Sequence, residues 1–568
     1  MIDHLVFIFY ILFIIFSTIG YGYFFSYVIN KNFLNLDIGY QGLFGFFTLI
    51  IISILTSFLT FHGYYHNIFI HTIGVLSFVF FLSKKNINFN AKLFFILFLI
   101  LFISLYVYKN HDDFSYYHLT YALNLSENKF IIGTGNFGHG FRTFSSIFYF
   151  HSLLYLPYIE FYLFHSGSFL ILFFFNLILI KKFFNYLKIK KTSFNFFFVL
   201  FSITFVNIVF YRIAEHGTDR SAQILIFLCF VLLLELIGEK IKFNNKKNKI
   251  EIIFIIIILA SSFKAIYYIY LIIIPYTFYK FVFQKKYLSK INLRLIFILG
   301  LSLFLNISVN FLNTGCLLYP ASNTCFETKW SIPKSEVKLM NSHYEWWAKA
   351  GGGAGYKVDM KKEDYIKNFV WVNNWVKTYF FNKVSDTLFG IIFICFLYYI
   401  LFKYYCKQKK KIYKKVSKNN LKPIYAILFI FLISWFLKHP ALRYGGYVLI
   451  SLPFFIFFSE KIARYKYNFT KVKTMSYLLI FLIFFVFISR NIVRLDKEIK
   501  FYKYDLLSSP FFYVDNVESQ ILRADKNFTL YTTKDNKSCW ASKTPCTLWK
   551  NNNFIKFFNY YIIYRDTK

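Results

Sequence analysis

The feature that most constrains the fold of this chain is its series of long apolar runs. A run of about 20 apolar residues can cross a bilayer as a helix, and only helices and closed barrels satisfy every backbone hydrogen bond in lipid. The sequence therefore predicts an all-α polytopic membrane protein with about 14 transmembrane helices, the shortest of them re-entrant or broken. The candidate spans are residues 5–29, 41–61, 68–83, 92–108, 162–182, 194–212, 220–238, 250–262, 265–283, 293–312, 386–404, 422–438, 443–459 and 475–491.

Basic residues lie mostly between these runs and predict the orientation of the chain. A net charge of +38 would suggest nucleic acid binding in a soluble protein, but in a membrane protein the enrichment of cytoplasmic loops in Lys and Arg explains it. We therefore expect no nucleic acid partner. If the spans alternate, the basic connectors share one side, which is then cytoplasmic; they are residues 84–92, 181–191, 240–249, 280–294, 403–422 and 460–474.

The opposite, outer side receives the segments with most of the polar chemistry. Residues 143–161 must then stay on that side, and we expect them to form an amphipathic helix along the outer surface. The loop 313–385 contains Trp371, Trp375 and Tyr379 at the spacing of one helix face, which predicts an interfacial helix. In the tail 492–568, FTLYTT (528–533) and YYIIY (560–564) predict short strands in a small soluble cap.

Four cysteines fall in segments assigned to the outer side. Cys316 with Cys325, and Cys539 with Cys546, form two close pairs. In an oxidising compartment such pairs indicate disulfides. A metal site is the alternative, but it would need further ligands, and none converge near either pair in the sequence. The remaining cysteines lie in or beside spans and are expected to be packing residues.

An acidic loop follows the run 92–108. It contains His111, Asp112, Asp113 and His118, and adjacent carboxylates at the mouth of a membrane helix are expensive to place. Either carboxylate could deprotonate an acceptor hydroxyl or hold a divalent cation, Mg or Mn, beside a leaving phosphate. The histidines could assist in both roles. The alternative is an ordinary polar connector with a solvated helix end.

Cations gather near the outer ends of later spans. They suggest a site for a phosphate or pyrophosphate group, whereas snorkelling to the membrane surface is the alternative for each one alone. The connector around residue 215 is dense in polar groups, which could equally pair with one another as a structural knot. The cations are Arg142, Arg212, Lys264 and Arg443. Arg212 belongs to the polar connector together with Glu215, His216 and Asp219, and His439 lies in the same connector as Arg443. Because no nucleotide is available outside the cell, this placement fits a polyprenyl-phosphate donor reached from the bilayer.

Several motifs give the chain a resemblance to known membrane enzymes. They are HDD (111–113) with DDFSYYHL, GNFGHGFRTFSS, FKAIYY, GCLLYPAS and CWASKTPCT, in this order along the chain. The chain resembles the GT-C superfamily of integral membrane glycosyltransferases, and more narrowly an uncharacterised group of bacterial multi-span proteins. The resemblance implies that Asp113, or else Asp112, acts as general base or metal ligand. Three further spans precede the run 92–108, whereas the GT-C core usually starts one span before its acidic loop. The chain also has no long soluble domain with a WWD-type motif, which argues against an oligosaccharyltransferase.

This resemblance implies a domain plan. Residues 1–91 would be accessory helices, 92–312 a GT-C-like core with the acidic loop 109–161, and 313–385 an outer loop. Residues 386–491 would be C-terminal helices and 492–568 the cap.

The expected function is transfer of a sugar from a polyprenyl-phosphate donor to a cell-envelope lipid or glycan, on the periplasmic face of a bacterial inner membrane. Asp113, Asp112 and His118 would be catalytic, and Arg142, Lys264, Arg443 and Arg212 would bind the donor phosphate. Supporting residues would be His111, Glu215, His216, Asp219 and His439. A polysaccharide polymerase or ligase, and a lipid or glycan flippase, are the alternatives.

Overall fold

The computed structural model of the protein describes residues 2–84, 89–107, 111–214, 217–238, 243–283, 292–351, 360–404, 406–409, 418–534 and 538–565. Glu215 and His216, two of the predicted supporting residues, lie outside these ranges. The described chain is mainly helical. Its α-helices are α1 (Ile2–Ile29), α2 (Ile38–Ser57), α3 (Tyr64–Ser83), α4 (Ala91–Phe102), α5 (Leu119–Glu127), α6 (Ile147–Ser152), α7 (Ser166–Lys188), α8 (Phe194–Val209), α9 (Thr218–Gly238), α10 (Phe243–Phe263), α11 (Ile273–Phe278), α12 (Leu293–Thr314), α13 (Lys334–Lys349), α14 (Lys362–Tyr365), α15 (Trp371–Trp375), α16 (Ser385–Tyr404), α17 (Lys418–Lys438), α18 (Gly446–Ile462) and α19 (Phe469–Tyr502).

Length and apolar composition make this a membrane protein. Nine helices in the described ranges are long and apolar enough to cross a bilayer, among them α1, α2, α7 and α9. Three shorter apolar helical segments, Ala91–Leu105, Phe194–Val209 and Ala265–Phe281, accompany them. The prediction of a helical polytopic protein is thus confirmed in its general form, while the number of 14 spans and the GT-C architecture stay predictions.

Local sequence signals set the ends of these helices. Asp37 precedes α2 and its side chain accepts a hydrogen bond from the Gly39 N–H (3.1 Å), while Asn90 does the same for Leu93 at the start of α4 (3.1 Å). Gly315 ends α12 in the left-handed conformation, with φ +79°, which glycine adopts without strain. Helices α7, α8 and α9 are almost entirely buried and form the centre of the bundle.

Three predicted features differ from the structure. Residues 143–161 contain no surface helix: they form the short helix α6, all of whose side chains are buried, because it packs between α2 and α5. The expected interfacial helix is instead the start of an unbroken apolar helical stretch, Trp371–Tyr404, in which Trp371 and Trp375 are buried. The helix that contains the last predicted span, α19, is longer than the run 475–491 and continues to Tyr502.

The strands are short and lie mainly in the tail. β3 (Ser519–Ala524) pairs antiparallel with β4 (Thr529–Thr533), which pairs parallel with β5 (Cys546–Thr547). A separate hairpin consists of β6 (Asn552–Phe557) and β7 (Tyr560–Arg565). Both strands predicted in the tail are therefore present, as β4 and β7. One further pair, β1 (Cys406–Lys409) with β2 (Tyr465–Tyr467), was not predicted.

The tail hairpin is attached to the loop between α5 and α6. Ile562 forms a parallel backbone bridge with Ile132, and the Asn552 side chain donates to the Asn136 carbonyl (2.7 Å). The Leu548 N–H donates to the Phe137 carbonyl (2.9 Å). These contacts fix the glycine-rich loop that begins at residue 133, directly beside the acidic loop.

Candidate functional site

A cavity of about 1220 Å³ opens at one end of the helix bundle. Its walls come from distant parts of the chain: the acidic loop (111–117), residues 139–144, the junction after α10 (261–268), Asn310 of α12, the segment 318–347 with α13, Lys362, and the turn after α17 (439–444). Aromatic side chains supply much of the wall. We call this space the site cavity.

Four charged residues form one chain of ion pairs at this cavity. The Arg443 guanidinium donates from NH2 to Asp113 Oδ2 (2.9 Å) and from Nε to Asp219 Oδ2 (2.8 Å). The other Asp219 oxygen accepts from the Lys264 ammonium. These residues come from four separate segments, and their ion pairs link them in the order Asp113, Arg443, Asp219, Lys264. We call them the charged cluster.

The backbone of the acidic loop presents Asp113 to the cavity. The Phe114 N–H donates to the His111 carbonyl (2.7 Å), and the His111 ring lies 3.3 Å from Asp113 Oδ2. A π-helical turn, Phe114–His118, then leads into α5. Such π-helical turns are frequent at functional sites.

Lys264 reaches the cavity because α10 breaks immediately before it. The residue is extended, and a 3₁₀ segment, Ala265–Ile272, follows. The backbone groups released by the break are satisfied locally: the Ser262 carbonyl accepts from the Ser146 N–H (3.0 Å), and the Ser261 hydroxyl donates to the Tyr267 carbonyl (3.1 Å). A break at this depth is tolerated only where the backbone is buried in protein or lines a cavity.

A tight turn positions Arg443. The turn Leu442–Tyr444 is closed by Gly445 at φ +92°, a conformation that L side chains rarely adopt. The Leu442 N–H donates to the Tyr379 hydroxyl (2.8 Å). The guanidinium also lies over the rings of Trp347 and Tyr444, at 5.5 Å from each centroid.

The electrostatics of the cavity define the charge of its groups near neutral pH. Burial opposes ionisation of Asp113, but Arg443, with His118 and His111, outweighs it and holds the pKa of this carboxyl below its usual value. Burial lowers the pKa of His118 to about 4, and that of His439 to about 4. Asp113 is therefore a carboxylate, and both histidines are neutral.

Of the predicted site residues, the structure brings His111, Asp112, Asp113, Lys264, His439 and Arg443 together as lining of the site cavity. Asp219 joins them through its ion pairs. Asp112 is exposed beside Asp113. Within the described ranges, His118 does not line the site cavity. Its ring turns inward against Phe148, and the two ring centroids are 4.9 Å apart.

Arg142 lies outside the charged cluster. It is fully buried, and its guanidinium donates to Glu336 (2.8 Å) and to the Gly135 carbonyl (3.2 Å). Glu336 also pairs with Arg565 of β7, and both guanidiniums lie over the Trp549 ring, 4.8 Å from its centroid. Arg142 is thus part of an ion-pair clamp between the glycine-rich loop, α13 and the tail.

Arg212 lies at a second recess, of about 420 Å³, between the end of α8 and the last turns of α19. Its guanidinium pairs with Glu498 (3.3 Å). The predicted phosphate-binding set is therefore divided by the structure: Lys264 and Arg443 share the site cavity, whereas Arg142 and Arg212 each belong to a different group of contacts.

The sequence did not predict the aromatic wall of the site cavity. Tyr116, Tyr117, Tyr344, Trp347 and Tyr444 line it. Because Phe and Tyr are abundant throughout the chain, their presence near a polar motif is a weak signal. The adjacent tryptophans at 346–347, in a loop otherwise assigned outside the membrane, were the available clue.

Both predicted cysteine pairs are at bonding distance. The sulfur atoms are 2.06 Å apart in Cys316–Cys325 and 2.01 Å apart in Cys539–Cys546. The first pair closes the loop whose residues 318–321 line the site cavity, and the second packs against Tyr116. Cys229 and Cys395 are buried and free, as expected for packing residues.

The donor set for a metal is small. In the described ranges, no group of three or more His, Cys, Asp or Glu side chains is arranged to hold a metal ion. Asp112 and Asp113 could supply two carboxylate ligands, and Mg²⁺ is often bound by only one or two carboxylates together with substrate phosphates. The residues present thus fit a metal that arrives with a phosphate substrate.

Comparison with known proteins identifies a family for the chain. The model of a family described as a domain of unknown function, DUF8201, matches residues 5–450. This stretch contains all members of the charged cluster. No curated protein and no solved structure matches the chain.

Proposed function

Because the chain belongs to the DUF8201 family, whose description names no activity, we propose its function from the site cavity: the protein is a membrane glycosyltransferase. It transfers a sugar from a polyprenyl-phosphate donor to a cell-envelope lipid or glycan acceptor. We infer a GT-C-like arrangement of about 14 spans, with the site cavity facing the periplasm, because Lys and Arg of the other connectors favour the cytoplasm.

The observation that carries the proposal is the meeting of Asp113, Lys264 and Arg443 at one end of apolar helices. Transfer from a sugar phosphate needs a carboxylate near the acceptor hydroxyl and cations near the leaving phosphate. A site at the end of membrane helices is accessible to a donor whose polyprenyl chain stays in the bilayer. The aromatic wall provides flat apolar surfaces against which a sugar ring can pack.

The cations can accept a phosphate without losing their present partners. An arginine has five N–H donors and a lysine ammonium has three. Two of the Arg443 donors are directed at Asp113 and Asp219, and one Lys264 hydrogen at Asp219. Both side chains are partly exposed at the cavity, 31% for Arg443 and 24% for Lys264. A phosphate oxygen can therefore bind beside the carboxylates.

The ion pair with Arg443 also determines how Asp113 can act. A carboxylate whose pKa is held low is a weak base. An arriving phosphate brings negative charge to Arg443, offsets the attraction on Asp113 and raises the proton affinity of this carboxylate. Donor binding thus prepares the base.

The transfer itself is a displacement at the sugar. The acceptor oxygen bonds to the anomeric carbon while the bond from that carbon to the phosphate oxygen breaks. The hydroxyl proton passes to Asp113, or to Asp112, and the bonding electrons leave with the polyprenyl phosphate. Arg443 and Lys264 stabilise the charge that develops on it. The carboxylate that does not take the proton would be available to hold a divalent cation, which would supply further positive charge to the same phosphate.

The test uses the full chain in lipid nanodiscs with synthetic short-chain polyprenyl-phosphate hexoses and pentoses and a bacterial envelope-lipid extract as acceptor. We expect sugar transfer that falls about 100-fold or more in Asp113→Asn and in Arg443→Ala, in line with the contribution of a positioned general base. Glu327→Gln, an exposed acid in the neighbouring loop, serves as the matched control.

Two outcomes would contradict the proposal. Full activity of Asp113→Asn together with loss in Arg443→Ala would favour a polymerase or ligase. No transfer with any donor, but movement of labelled lipid across the bilayer in vesicles, would identify a flippase.

A further inference from the structure

A second recess, lined by basic side chains, lies apart from the site cavity. It is formed by the segment after α8 and by the last turns of α19, and its volume is about 420 Å³. The side chains that matter are Tyr211, Arg212, Arg490, Arg494, Lys497 and Glu498. We call it the basic groove.

The geometry points to an anion site in this groove, and we propose that it binds the phosphate head group of an anionic membrane lipid. Positions 490, 494 and 497 follow one face of α19, because residues three and four apart are neighbours on a helix. Arg212 adds a cation from a different element. Four cationic side chains and one carboxylate line the groove, which leaves a formal charge of +3.

The carboxylate is already shared by two of the arginines. Glu498 pairs with Arg212 (3.3 Å) and with Arg494 (3.4 Å), both partly or largely buried. Arg490 and Lys497 are exposed at the rim. The Arg490 guanidinium lies over the Tyr211 ring, 3.9 Å from its centroid. The rim cations thus contribute the excess positive charge.

Arg490 and Arg494 also donate to backbone carbonyls, of Ile208 (2.6 Å) and Tyr106 (2.7 Å). Capping of helix ends by snorkelling side chains explains these bonds. It does not explain why Lys497, exposed and one turn further along, faces the same recess.

The position of the groove indicates a lipid as the source of the anion. In α19 the apolar stretch ends just before Ser489, and two to three turns earlier Leu478 and Leu482 are exposed, at 48% and 43%, on the same helix face as Ser489 and Val493 of the groove lining. A lipid whose chains pack on this apolar surface would place its head group at the level of the groove. Basic side chains at this level attract anionic lipids, with a gain of about fivefold in binding for each cation.

The experiment measures lipid binding to the full chain in a neutral detergent by native mass spectrometry. The probes are dioctanoyl phosphatidylglycerol, dioctanoyl phosphatidylcholine and inorganic phosphate. We expect the anionic lipid to bind and the zwitterionic lipid to bind at least tenfold more weakly. The double variant Arg490→Gln/Lys497→Gln should lose about 25-fold in affinity for phosphatidylglycerol, since two cations are removed.

Lys500→Gln is the matched control, because Lys500 lies on the same helix and is 74% exposed but does not line the groove. It should bind phosphatidylglycerol as the unmodified chain does. The single variant Lys497→Gln removes no hydrogen bond or ion pair to another element within the described residues, so it tests the groove even if the double variant misfolds. It should lose about fivefold in affinity for phosphatidylglycerol. Equal binding of both lipids, unchanged affinity in the double variant, or displacement of the lipid by equimolar inorganic phosphate would each overturn the proposal.

Discussion

At the scale of single residues, Asp219 has the most demanding position. It lies in the first turn of α9, its side chain is 8% exposed, and it compensates both Lys264 and Arg443. In the sequence it belonged to a dense polar connector that could be either structural or functional. The structure shows that it pairs with cations 45 and 224 residues away.

We therefore expect Asp219→Asn to destabilise the fold by about 3 kcal/mol, because it leaves Lys264 without a carboxylate and Arg443 with Asp113 alone. The measurement is thermal unfolding in detergent. Asp496→Asn breaks the exposed Lys500–Asp496 pair on α19 and is the control; it should change stability by less than about 1 kcal/mol. Equal effects of both substitutions would contradict this reading of Asp219.

Buried histidines predict the response of the protein to acid. Burial lowers the pKa of His118 and of His439 to about 4, well below the usual value of a histidine, 6.5. The unfolded chain therefore binds protons between pH 6.5 and 4 that the folded chain does not, and stability falls as the pH drops through this window, by up to about 1.4 kcal/mol per pH unit for each group. Asp113 acts differently: its lowered pKa keeps its ion-pair stabilisation until the pH falls below about 4.

Unfolding followed between pH 7.5 and 4.5 tests this expectation. His118→Asn should flatten the pH dependence, whereas His4→Asn, which alters a partly exposed histidine at the start of α1, should leave it unchanged. A pH dependence that is identical in all three chains would contradict the assignment.

At the scale of elements, the charged side chains of outer connectors could be recognised from sequence, but their partners could not. Arg142 follows a glycine-rich segment, and Arg443 lies in a tight turn that Gly445 closes. Only the fold reveals that Arg142 is occupied by Glu336, 194 residues away, and that Arg443 faces the cavity. The positions of the apolar runs could be predicted because a membrane requires them. Ion pairs between distant segments depend on packing, which the periodicity of the sequence does not encode.

The same limit applies to α6 and to the aromatic wall. A short segment rich in Phe and Tyr reads as interfacial, yet α6 is buried because α2 and α5 provide a groove for it. The chain contains 81 Phe and 47 Tyr, so aromatic residues near the site did not stand out. The strands of the tail were predictable since alternating β-formers within a polar segment are unusual in this sequence.

The ion-pair clamp formed by Arg142, Glu336 and Arg565 joins the tail to α13, and its removal gives an element-scale prediction. Glu336→Gln should release β7 from the glycine-rich loop and destabilise the fold by about 3 kcal/mol, because fully buried Arg142 loses its counter-charge. Limited proteolysis should then cleave the tail faster. Glu327→Gln, at an exposed acid in the same loop, should leave the cleavage rate unchanged. Rapid cleavage in both variants, or in neither, would show that the clamp does not hold the tail.

At the scale of the whole molecule, the two ends of the bundle differ in charge chemistry. One end carries the site cavity, and at the other Lys182 and Lys249 pair with the buried Glu235 (2.9 and 2.6 Å). If the basic end is cytoplasmic, Ser335→Cys on α13 should react with a membrane-impermeant maleimide in intact cells, and Lys188→Cys at the end of α7 only after permeabilisation. Both positions are exposed, so the reverse pattern would place the cavity in the cytoplasm.

The hairpin of β6 and β7 contributes one edge of the support for the glycine-rich loop, although it follows α19 in the chain. A growing chain can insert every helix up to α19 and still lack the strand that pairs with Ile132. The end of the bundle that carries the site cavity is therefore completed only after this hairpin has been synthesised and has paired. A chain interrupted before that point would hold all of these helices, while its glycine-rich loop would lack one of its supports.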